Sequence, residues 1–75
     1  SGIFTPGATA STFVIPTGSF DVAVGAVITV TVNGPVGPAV HAQVTAIDDV
    51  ANTFTIVTSA AITNSYRIHW MAANP

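Results

Sequence analysis

The side chains able to do chemistry are few, and their spacing limits what they could do together. The chain carries two histidines, His41 and His69; the acids are Asp21, Asp48 and Asp49, and the one base is Arg67. Serine, histidine and aspartate are all present, yet no serine sits in a Gly-x-Ser-x-Gly elbow, the sharp turn that exposes a hydroxyl nucleophile. Asp48 and Asp49 are adjacent, and consecutive residues of an extended chain point to opposite faces, so the pair cannot flank a glycosidic bond. A hairpin turn suits them better, and as a calcium site they lack further oxygen ligands at regular spacing. His41 and His69 fall on the outward faces of the strands assigned below and could meet across paired strands. Zinc would still need two more ligands. No catalytic residue, cofactor or metal site is therefore expected.

Aromatic residues are the remaining candidates. Tyr66 and Trp70 share one face of a strand and could stack on a sugar ring. In a domain this small, however, the only tryptophan is needed as a packing anchor. Phe54, Tyr66 and Trp70 are accordingly expected to anchor the core.

The elements that must hold these residues are strands. No window shows a sustained 3.6-residue apolar repeat, whereas short runs of Val, Ile, Thr and Phe recur between turn residues. The pattern predicts an extended N-terminal arm over residues 1–10 and a single β domain over 11–75. Strands are expected at 11–15, 20–24, 26–32, 39–47, 53–58 and 66–72. The clearest alternates Ile28, Val30 and Val32 against Thr29 and Thr31. In the fourth, Val40, Ala42, Val44 and Ala46 face one way, and His41, Gln43, Thr45 and Ile47 the other. Residues 33–38, with two prolines and two glycines, read as a loop. Residues 59–65 read as a second, with a short helical turn near Ala60. Short connections favour antiparallel pairing, so the expected fold is all-β, a small antiparallel sandwich or barrel of about six strands.

Composition bounds the function. A chain of 75 residues has room for one core and buries only about 60% of its unfolded surface, so it needs a staple. With no cysteine there is no disulfide, and two histidines are too few for a structural zinc. Oligomerisation remains. Charged residues make up 5%, against about 25% in an ordinary soluble domain, so copies repel one another little. One arginine without lysine cannot neutralise a run of phosphates, which argues against nucleic acid. No apolar run approaches the roughly 18 residues of a spanning helix, so no membrane partner is expected. The start has no basic stretch ahead of an apolar run, hence no secretory leader is expected, and Ser1-Gly2 reads either as what remains after removal of an initiator methionine or as a leftover of recombinant expression. Ile3 and Phe4 are the apolar residues of the arm and the candidate assembly contacts, because exposed apolar tips find partners.

Two stretches carry a family resemblance. Thr12-Phe13-Val14-Ile15-Pro16-Thr17-Gly18 is one; Asn52-Thr53-Phe54-Thr55-Ile56-Val57-Thr58, continued by Tyr66-Arg67-Ile68-His69-Trp70-Met71-Ala72, is the other. Together they resemble the small β-modules of tailed-bacteriophage virion proteins, which occur in capsid decoration proteins, head fibres and tail-fibre tips. The match is a pattern of hydrophobicity and turns over most of the chain, and no ligand or catalytic residue maps across. It implies a virion structural protein made in the host cytoplasm, assembled as a homo-oligomer and most simply a trimer, with the major capsid protein or another virion protein as partner. A short chain without a trimerising stalk is more like a decoration or cement protein, its arm lying along a neighbour. The alternative is a receptor-binding or tail-fibre-tip module that binds glycan, and an adhesion or pilus-like subunit is a third possibility.

Overall fold

In the computed structural model, which describes residues 1–35 and 37–75, six strands form two three-stranded antiparallel sheets. Val36, inside the loop expected over 33–38, lies outside the described residues. The strands are β1 (Gly2–Phe4), β2 (Ala10–Pro16), β3 (Val27–Asn33), β4 (Ala42–Asp48), β5 (Thr53–Ile62) and β6 (Arg67–Ala73). One sheet has the order β1-β6-β3 and the other β2-β5-β4. The fold is all-β, a sandwich whose core is shared by both sheets. Only β4 and β5 pair as neighbours in sequence; the other connections cross from one sheet to the other.

Period-two patterning places the core. Phe54, Ile56 and Thr58 of β5, and Ile68 and Trp70 of β6, are buried, while their neighbours point outward or lie at the rim. Phe13 and Ile15 of β2 join them. Each such side chain contributes about 1.5–3 kcal/mol when fully buried, so the two central strands and β2 supply most of the apolar stabilisation.

Four expectations need correction. The arm is not free: Gly2–Phe4 is a strand, in register with β6 through Gly2↔Trp70, Ile3↔His69 and Phe4↔Ile68. Gly2 is integral to the fold, since a methyl there would come within 2.8 Å of the Trp70 indole nitrogen. Residues 20–24 are not a strand. Side chains take the bonds a ladder would need: Val22 N donates to Asn52 Oδ1 (2.8 Å), Ala23 N to Asn74 Oδ1 (2.9 Å), and Asn74 Nδ2 to the Asp21 carbonyl (2.8 Å). Val22 is nevertheless buried.

β4 carries a register shift between Val44 and Ala46, so Thr45 and Ala46 both point outward and Ile47 turns in, reversing the faces expected for Ala46 and Ile47. Finally, β5 runs on to Ile62 rather than ending before a loop. The extra residues there are absorbed by an irregularity opposite β2, between the pairs Thr12↔Val57 and Ala10↔Ile62. Buried Thr58 pins it by donating to the carbonyls of Ala60 (2.7 Å) or Ser11 (3.3 Å).

Candidate functional site

The residues singled out for chemistry are dispersed. Asp48 ends β4, and its Oδ1 accepts from Val50 N (3.1 Å) and Ala51 N (2.9 Å), which is the work of a turn-forming aspartate. Asn52 closes that turn at φ 61°, a left-handed conformation that asparagine tolerates. His41 precedes β4 in one sheet and exchanges bonds with Ser59: its N donates to Ser59 Oγ (3.0 Å) and its carbonyl accepts from Ser59 N (2.8 Å). His69 lies on the outer face of the other sheet, between Ile3 and Thr31. The two histidines therefore do not meet across paired strands. Among the described residues no group of three or more His, Cys, Asp or Glu side chains is placed to hold a metal ion. Arg67 donates to the carbonyls of Asn64 and Tyr66, both at 2.8 Å.

The aromatic anchors take up core positions. Phe54 is fully buried and Trp70 is 5% exposed, with their rings edge to face at 5.4 Å and 69°. Trp70 thus has no free face for a sugar. Tyr66 is half-buried against the core, and its ring covers Gly34, where a methyl would overlap it. The two candidate assembly contacts separate. Phe4 turns inward and meets Phe13 edge to face at 6.0 Å, whereas Ile3 stays 63% exposed on the outer face.

What the strands do bring together is apolar surface on one long side. Along β3, Ile28, Val30 and Val32 face the core yet remain half-buried, as do Ala42, Val44 and Ile47 along β4. Two grooves run there. One of about 320 Å³ lies between Val30–Val32 and the segment 39–42; another of about 310 Å³ lies between Val24-Gly25 and residues 44–47. A wider depression of about 470 Å³ crosses the outer face of the β1-β6-β3 sheet, where Ile3 and Met71 stand about two-thirds exposed beside Thr29 and Thr31. The half-burial of β3 and β4 could not be read from their alternation, because alternation reports which face is apolar and not whether anything covers it.

No family model matches the chain, and neither does any curated protein or solved structure.

Proposed function

We propose that this chain is a non-catalytic structural module that acts by assembly, and that its setting is a virion, where it decorates the shell as a cement protein. The observation that carries the reading is the half-covered β3–β4 side, bordered by strands with almost no charge. Apolar surface held half-wet by the fold gains about 25 cal/mol for each Å² that a partner covers. With 5% charged residues, little opposes the approach of another copy. The virion setting is supported by the resemblance of residues 12–18, 52–58 and 66–72 to phage virion β-modules. That resemblance further implies a homotrimer and a contact with the major capsid protein.

The test is to add the purified protein to undecorated tailed-phage shells, sediment them, and follow the temperature at which they release their genome. Saturable binding and a raised release temperature are expected. A protein that binds no shell, yet sediments with isolated tails or tail fibres, would move the assignment to the tail.

A further inference from the structure

We infer that the open side is completed by a second copy of the chain, through antiparallel pairing of β3 with β3 about a two-fold axis at Val30. The inference rests on the assembly reading above and adds the partner and the register.

Each sheet ends in unpaired backbone, and three of the four edges are guarded. β1 is three residues long and is followed by buried Pro6. β2 is broken by the irregularity between Ala10 and Thr12 and ends on Pro16. β4 is bulged at Thr45 and ends on Asp48. β3, Val-Ile-Thr-Val-Thr-Val-Asn, pairs with β6 without a register shift and has neither proline nor charge. Among the described residues it is the edge that is regular along its whole length.

Its sequence is also self-complementary. Turned antiparallel about Val30, Ile28 faces Val32 and Val30 faces Val30 on the inner side, while Thr29 faces Thr31 outside. That register pairs all seven residues, and a shift of the axis to Thr29 or Thr31 loses two of them. The result is one six-stranded sheet, with the half-buried side chains of both copies meeting across the seam in a self-complementary contact. The paired edge is seven residues long, about 23 Å at ~3.3 Å per residue. A two-fold contact predicts an even-numbered assembly, in contrast with the trimer that the resemblance implies.

Because the chain lacks cysteine, Val30→Cys puts a single thiol on the axis, where facing Cα atoms 4.5–5.5 Å apart suit a disulfide. Mild oxidation should convert V30C to covalent dimer at least tenfold faster than V14C or V57C, which lie on the outer face of the other sheet. Independently, T29K/T31K and T29D/T31D should each sediment as monomers, since like charges then face one another, and an equimolar mixture should sediment as a dimer. V30C that cross-links no faster than V14C, or charged variants that sediment like wild type, would overturn the pairing. If wild type is monomeric at every concentration the pairing also fails, while shell binding still decides the assembly reading on its own.

Discussion

The two long sides of the sandwich are built from similar residues and end differently. Where β1 meets β2, Phe13 and Ile15 are buried, Phe4 packs on Phe13, and Pro6 in the following segment is fully enclosed. Where β3 meets β4, six inward aliphatic side chains are only partly buried, as Phe4 is on the other side. Apolar content does not account for this, since Ile28, Val30 and Val32 match anything on β2. Coverage does. On the first side Pro6, in the segment that follows β1, is buried, whereas the second side has grooves. Apolar surface that a fold leaves wet is where coverage by a partner gains most.

The largest expected effect tests the core that both sides share. Trp70→Ala removes the indole that meets Phe54 and fills the space over Gly2, and should destabilise by about 3–5 kcal/mol in urea unfolding. A mutant as stable as wild type would mean that Trp70 is not the anchor, and the comparison of sides would lose its common reference.

Closure of the first side is tested next. Gly2→Ala drives a methyl against the Trp70 ring from a strand held by three register pairs, and should cost about 1–3 kcal/mol. If the change is silent, β1 is loosely docked and that side is less closed than described. Asn52→Ala should cost about 1–2 kcal/mol, because it loses the bonds to Val22 N (2.8 Å) and the Gly18 carbonyl (3.1 Å) and leaves alanine at φ 61°. Asn52→Gly keeps the backbone at ease and should lose only the hydrogen bonds. Equal melting temperatures for the two variants would show that backbone strain plays no part.

Much of this was legible in the residues, and the failures have physical causes. The alternation in 26–32 set Ile28, Val30 and Val32 against Thr29 and Thr31, and Phe54, Tyr66 and Trp70 were expected in the core; the structure turns these apolar side chains inward. Residues 20–24 alternate just as well, but the ladder lost to Asn52 and Asn74, partners 30 and 51 residues away. No local pattern announces such a capture. The bulge at Thr45 is equally silent, since one added residue leaves the composition of a strand unchanged. Why residue 2 suits a glycine is not legible locally either, since the ring that excludes a side chain there is almost seventy residues along the chain. As for function, the residues limited the chemistry by type and spacing, while the uncovered side depends on where the chain runs and needed three dimensions.

The smallest effect is also the sharpest test of the comparison. Ile15→Val and Ile28→Val delete the same methylene from opposite sides of the sandwich. Ile15 is 1% exposed, so its loss should cost about 0.5–1.5 kcal/mol at any protein concentration. Ile28 is only partly buried, so in a dilute chain less of that group's transfer energy is at stake than at Ile15. If a second copy covers β3, Ile28 becomes interior once the protein assembles, and unfolding must then dry out the interface as well. Stability in such a system depends on protein concentration, so the cost of Ile28→Val should rise towards that of Ile15→Val as concentration increases. Urea midpoints measured over a hundredfold range of dilution would follow the gap. A gap that stays constant would mean that the β3 side remains wet at every concentration, and that the difference between the two sides is a feature of a finished monomer.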